Sequence, residues 1–182
     1  SLNRFRGLRQ ERVAGNDLMP AVMAAAELEG LGVFLHGGQQ EVLDLILARA
    51  AKDYPALKIA GSWSPPFREA TEQERAAEVE RIAHSGAHIV MVSLGCPRQE
   101  KWMAAMKGRV PAVMLGVGGA FLLYAGVDTR APLWMRKASL EWLYRLALEP
   151  GRLWKRYLMT NSAFILLYTK RLLGMGHGLP NS

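Results

Sequence analysis

Apolar residues gather into four short runs separated by segments of helical length. The runs are Gly32–Gly37 (GVFLHG), Leu57–Ser62 (LKIAGS), Ala87–Gly95 (AHIVMVSLG) and Pro111–Gly119 (PAVMLGVGG). Continuous runs without strict alternation suit parallel strands covered on both faces. After the first run, QQEVLDLILARAAKDYP places Val42, Leu45, Ile46 and Ala50 on one helical stripe. After the second, TEQERAAEVERIAHSG opens with Thr71 and Glu74 in the spacing of a capping box. A further helix, GNDLMPAVMAAAELEG, precedes the first strand, with Asn16 or Asp17 near its N-cap. The order βαβαβαβ predicts an α/β fold, an open parallel sheet flanked by helices and joined by right-handed crossovers.

The pattern changes after Gly126, where the chain becomes helical, aromatic and basic, broken by Pro132 and Pro150. At 182 residues and 50% apolar, the chain suits one sheet domain, residues 1–128, with a helical appendage over 129–182. Charge follows the same division. Residues 1–129 hold 14 basic and 14 acidic side chains, and residues 130–182 hold 9 and 2, so the net charge of +7 resides in the last third. The uncharged run Tyr157–Thr169 is only 13 residues long, short of the roughly 20 that span a bilayer. Arg152, Lys155 and Arg156 precede it and Lys170 and Arg171 follow. With Trp134, Trp142, Trp154 and Tyr157 nearby, the segment reads as an amphipathic element at an anionic membrane surface. The competing readings are a helix packed on its own domain and a homo-oligomer interface. Nucleic acid is disfavoured as a partner, because the aromatics sit among long aliphatic residues and not on a polar strand platform. At the other end, Arg4, Arg6, Arg9 and Arg12 have no apolar run after them, so no signal peptide is expected. A single cysteine, Cys96, excludes an internal disulfide, points to a reducing compartment, and reads as a small buried residue.

Candidate chemistry collects where the runs end. HGGQQ follows the first, GSWSPPFRE the second, GCPRQEKW the third and GVGGAF the fourth. In open parallel sheets ligands bind beyond the carboxyl ends of the strands, where glycine lets backbone approach closely and helix N-termini favour an anion such as a diphosphate. Neither G-x-G-x-x-G nor G-x-x-x-x-G-K-[ST] occurs, so dinucleotide binding and P-loop hydrolysis lose their main support. In GCPRQEKW, Pro97 suits the first helical position. Arg98 and Gln99 can donate to a sugar or phosphate, and Glu100 can accept from a hydroxyl or cap the helix. A solvated helix start remains the alternative. His36, His84, His88 and His177 show no metal-ligand spacing and Asp-x-Asp is absent, so metal-independent chemistry without a cofactor is expected.

Taken in order, ERVAGNDLM, GSWSPPF, VSLGCPRQEKWM, GVGGAF, AGVDTRAPLWM and LEWLYRLALEPGRLWKRY resemble the WecG/TagA/CpsF family of bacterial glycosyltransferases over about Glu11 to Tyr157. The resemblance implies a Rossmann-like sheet domain with a C-terminal appendage that brings it to the inner face of the cell membrane, as a cytoplasmic, peripheral protein. It implies inverting, metal-independent transfer of N-acetylmannosamine, its uronic acid or glucose from a UDP-sugar to an undecaprenyl-diphosphate-linked acceptor, in cell-surface polysaccharide synthesis. By the same resemblance Arg12 and Gln99 are active-site residues. Gly61, Ser62, Trp63, Ser64 and Pro65 are expected to line the substrate site, with Gly95, Pro97, Arg98 and Glu100 from the third strand end and Gly118, Gly119 and Ala120 from the fourth. Arg145, Arg152 and Lys155 or Arg156 match basic positions that meet the lipid diphosphate. Two departures stand out. The family's aspartate, favoured as general base, is expected upstream of Ser1, and Leu122 follows Phe121 where the family usually carries an aspartate. They motivate the alternative of a catalytically impaired nucleotide-sugar-binding module that docks on a membrane partner.

Overall fold

A computed structural model describes residues 13–68, 70–129, 132, 135, 140–148, 150, 151, 154 and 169. The chain divides into two compact units, residues 1–129 and 130–182. In the first, the elements run α1 (Gly15–Leu28), β1 (Gly32–Gly37), α2 (Gln40–Asp53), β2 (Lys58–Trp63), α3 (Glu72–His84), β3 (Ile89–Ser93), α4 (Arg98–Met106), β4 (Val113–Gly116) and α5 (Ala120–Tyr124). In the second, α6 covers Glu141–Leu148.

The four strands form one parallel sheet in the order β2-β1-β3-β4. The α/β reading holds, and each apolar run contains its strand or most of it. Only the central strands are covered as continuous runs predict. All six residues of β1 are buried, whereas β2 and β4 lie at the edges and are partly exposed.

Strand parity sorts β1 onto two cores. Val33 and Leu35 join Met19, Met23, Leu43, Ile46, Met91 and Phe121 on the face covered by α1, α2 and α5. Phe34 joins Ile82, Val90, Val92 and Met106 on the face covered by α3 and α4. Each large apolar side chain buried in this way contributes about 1.5–3 kcal/mol. The chain leaves β1 for β2 on one side and returns to β3 on the other, so strand order reverses between β1 and β3. Their carboxyl ends form the switch point where such sheets take ligands.

Three local expectations are corrected. Leu45 is 47% exposed and Leu43 is buried in its place. With Val42, Ile46 and Ala50 defining the stripe, Leu45 falls roughly 100° from its centre and Leu43 about 60°. The cap of α1 is Ala14, with no side-chain hydrogen bond, so Asn16 and Asp17 lie inside the first turn. Gly15 permits that early start, since a Cβ there would come within 2.7 Å of the Val117 carbonyl oxygen. Cys96 is exposed, because burial along β3 ends at Val92 and Cys96 lies in the turn beyond it. The capping box forms as read: Thr71 Oγ1 accepts the Glu74 N–H and the Glu74 carboxylate accepts the Thr71 N–H.

Candidate active site

Polar groups at the carboxyl end of the sheet are joined in sequence across all four strands. Ser64, just past β2, donates its hydroxyl to the Gly38 carbonyl at 2.7 Å. Gly38, just past β1, donates its N–H to the Ser93 carbonyl at 3.0 Å. Ser93 at the end of β3 donates its hydroxyl to the Gly118 carbonyl at 2.8 Å. The Gly118 N–H is in turn accepted by the Gln99 side-chain oxygen at 3.0 Å, a bond shared with the Val92 carbonyl at 3.2 Å. Gln99, in the first turn of α4, is 8% exposed, and its amide nitrogen lies 3.4 Å from Glu100 Oε1. The chain of contacts needs glycine at two points. A Cβ on Gly37, at φ +102°, would collide with the Ser93 carbonyl, and one on Gly116 would run into the Gln99 amide.

Arg98 points the other way from the start of α4. Its guanidinium donates to the carbonyls of Pro66 and Arg68, at 2.9 and 2.7 Å, and lies 5.7 Å from the centre of the Phe67 ring. Arg98 thereby ties the β2–α3 loop to the end of β3. Arg68 in that loop and Glu74 in the first turn of α3 form a bidentate pair, and the Arg68 hydrogen bond, followed by the Thr71 backbone, draws the Glu74 carboxyl down to about 2.

A cleft of about 170 Å³ opens at the same end, lined by His36, Pro65, Arg75, Glu78, Arg98, Lys101 and Trp102 among others. His36 is fully buried, stacked on Trp102 at 4.2 Å, and neither ring nitrogen has a hydrogen-bond partner among the described residues. Burial, and then the Arg98 charge, lower its pKa from 6.5 to about 3, so the ring is neutral at ordinary pH. The Trp102 indole N–H donates to Glu78 at 2.9 Å.

The expected site residues fall into groups. Ser64, Pro65, Gly95, Pro97, Arg98, Gln99, Glu100, Gly118, Gly119 and Ala120 come to the carboxyl end of the sheet, with Pro97 as the cap of α4 and Gly119 as the cap of α5. Gly61 serves packing, since a Cβ there would fall 2.8 Å from the Phe34 ring. Ser62 pairs with Leu35 within the sheet. Trp63 packs under Arg81, whose guanidinium lies 4.0 Å above the ring. Leu122 is 38% exposed on α5. Arg12, Arg152, Lys155, Arg156 and the side chain of Arg145 lie outside the described residues. Ser93 and, in the lining of the His36 cleft, Arg75, Glu78 and Lys101 escape sequence reading. A strand-terminal serine has no distinguishing pattern, and Arg75, Glu78 and Lys101 look like ordinary solvated helix positions.

The sequence was compared with those of known proteins. A family model for the glycosyl transferase WecG/TagA/CpsF family matches residues 2–177. The N-acetylglucosaminyldiphosphoundecaprenol N-acetyl-beta-D-mannosaminyltransferase of Bacillus subtilis (strain 168) is 36% identical over 150 residues, covering 82% of this chain and 56% of that protein. The chain thus spans little more than half the length of that relative.

Proposed function

The chain belongs to the WecG/TagA/CpsF family of glycosyl transferases, and from that premise we propose that it carries out sugar transfer at the carboxyl end of its sheet. The acceptor in this reading is a sugar linked to a polyprenyl diphosphate, in keeping with the acceptor named in the Bacillus subtilis relative. The donor is a UDP-sugar, with N-acetylmannosamine favoured by the name of that relative. Transfer is a single displacement without a metal. The acceptor hydroxyl oxygen bonds to the anomeric carbon as the bond to the UDP oxygen breaks and the hydroxyl proton passes to a general base, which inverts configuration.

The observation that supports this reading most is the placement of Gln99. The first turn of α4 brings its amide to the ends of β3 and β4, in the stretch GCPRQEKW that carries the family resemblance. Its nitrogen offers two N–H donors, and preorganised donors of this kind stabilise charge that develops on a departing oxygen. Charge on a diphosphate calls for guanidinium groups; Arg12 is proposed as an active-site residue, and Arg145, Arg152 and Lys155 or Arg156 as the residues that meet the lipid diphosphate. That basic segment is also proposed to hold the chain against an anionic membrane surface, where the lipid-linked acceptor resides. Among the described residues, no helix is long and apolar enough to cross a membrane.

A second reading, a nucleotide-sugar-binding module without transfer, is favoured by two features. Leu122 replaces the aspartate usual in the family, and the Gln99 amide is already engaged by Gly118 and Glu100. UDP release from UDP-N-acetylmannosamine, measured with and without N-acetylglucosaminyl-diphosphate-polyprenol, separates them. Acceptor-stimulated release giving a β-mannosaminide product supports transfer. Donor binding by calorimetry without stimulated release supports the module.

A further inference from the structure

The loop between β2 and α3 carries a feature that the Gln99 contacts do not explain. Phe67 is 97% exposed, more than any other large apolar side chain among the described residues. Single apolar residues on a surface are ordinary, but this ring is left in water by a loop that is otherwise closely bonded. Arg98 donates to the carbonyls on both sides of it, those of Pro66 and Arg68. The Arg68 N–H donates to the Pro66 carbonyl at 2.8 Å, and the Arg68 side chain is held by Glu74 in the first turn of α3. Pro65 and Pro66 fix φ at two successive positions. The ring is thus presented on a preorganised tip, and covering it costs little further ordering of the chain.

The chemistry of the tip identifies what covers it. Pro65 and Pro66 have no N–H, the Arg68 N–H is bonded within the loop, and the Pro66 and Arg68 carbonyls accept from Arg98. Backbone satisfied internally can enter a medium that offers no hydrogen bonds, which is the condition lipid sets. A protein partner that docks by backbone pairing needs those same groups open. Charge points the same way. The Arg98 guanidinium lies 5.7 Å from the centre of the Phe67 ring, and among the described residues no carboxylate pairs with it, so a positive charge stands beside the ring where anionic headgroups would lie. We propose that Phe67 is a membrane anchor, its ring seated in the headgroup region of an anionic bilayer. The loop leaves the sheet at its carboxyl end, where Gln99 meets Gly118, so seating the ring turns that end toward the lipid surface. The anchor rests on the membrane attachment in the reading above, assigns part of it to a residue outside the basic segment, and does not require transfer.

Vesicles of mixed phosphatidylglycerol and phosphatidylcholine, added to the full chain, test it. Phe67→Trp is expected to add to the wild-type emission a component that shifts to the blue on vesicle binding and is quenched by lipids brominated in the upper acyl chain. Co-sedimentation is expected to find Phe67→Ala bound about fivefold more weakly than wild type. Its urea midpoint is expected to stay unchanged, since the exposed ring is no part of the core. No binding by the wild-type chain, no blue-shifted component in Phe67→Trp, or wild-type affinity in Phe67→Ala overturns the anchor. Acceptor-stimulated UDP release by a chain whose Phe67 does not meet lipid overturns the anchor and leaves the transferase reading standing; lipid seating of Phe67 without such release does the reverse.

Discussion

The side-chain oxygen of Gln99 accepts the backbone N–H of Gly118 at 3.0 Å, so the first turn of α4 holds the turn that follows β4. This contact joins two stretches of the family pattern that lie 19 residues apart. It also makes Gln99 a structural residue as well as a candidate for chemistry, and the two roles have separable signatures.

Gln99→Ala is expected to cost about 1 kcal/mol of stability, because the Val92 carbonyl still accepts the Gly118 N–H. On the transferase reading, acceptor-stimulated UDP release falls by about 100-fold, the loss expected for one preorganised donor. Gly116→Ala, which pushes the Gln99 amide aside without removing it, is expected to lower release in the same direction. Denaturant midpoints and initial rates on the same preparations check both. A rate loss no larger than the fall in folded fraction would leave Gln99 with its structural role alone.

Gly37→Ala is expected to be among the most damaging single changes in the sheet, at about 2 kcal/mol or more. Its φ of +102° strains any side chain, and the added Cβ meets the carbonyl of Ser93, whose carbon would lie 2.7 Å away. Urea unfolding followed by circular dichroism measures the loss. Gly108→Ala is a useful comparison: its φ is +78° but a Cβ there meets nothing within 4 Å, so backbone strain is its main cost.

Acid is expected to destabilise the fold through His36. Its folded-state pKa, about 3, lies below the ordinary 6.5, so the unfolded chain takes up the proton first as pH falls. Stability from this group is complete above about pH 6.5 and declines as pH falls toward 3, by about 2 kcal/mol between pH 7 and pH 5. His36→Phe removes that part of the slope. Chemical denaturation of both proteins at pH 7 and pH 5 measures the difference, and parallel losses would show that other groups govern acid sensitivity.

Replacing Arg152, Lys155 and Arg156 together by glutamine is expected to weaken binding to anionic vesicles by about 100-fold at low salt. Each basic residue at such a surface contributes about 1 kcal/mol. Co-sedimentation with phosphatidylglycerol and phosphatidylcholine vesicles is the measurement. Equal binding to both lipids would favour packing or self-association of the basic segment over a membrane role.

Legibility differed by element for physical reasons. The run GVFLHG marks β1 residue for residue, because a strand buried on both faces leaves an uninterrupted apolar signal. The capping box at Thr71 and Glu74 was equally plain, since its chemistry is local and closes within three residues. The α2 stripe was half legible: helical spacing identified Val42, Ile46 and Ala50, but the direction from which the sheet approaches exposed Leu45 and buried Leu43. Cys96 shows the same limit, because burial of a small residue past a strand end depends on the turn beyond.

By itself, then, the sequence determined the parallel α/β architecture, the strand ends as the place for chemistry, and Gln99 as a residue of interest. These follow from local periodicity, turn chemistry and motif order. Only the tertiary structure decided that Gln99 reaches Gly118, that Gly61 serves Phe34, and that His36 shares a cleft with Arg75, Glu78, Arg98 and Lys101. Those relationships join residues far apart in the chain through parallel pairing in the order β2-β1-β3-β4. Strand order and the faces that helices cover are set by how the whole apolar surface is buried at once, and no short stretch of sequence records them.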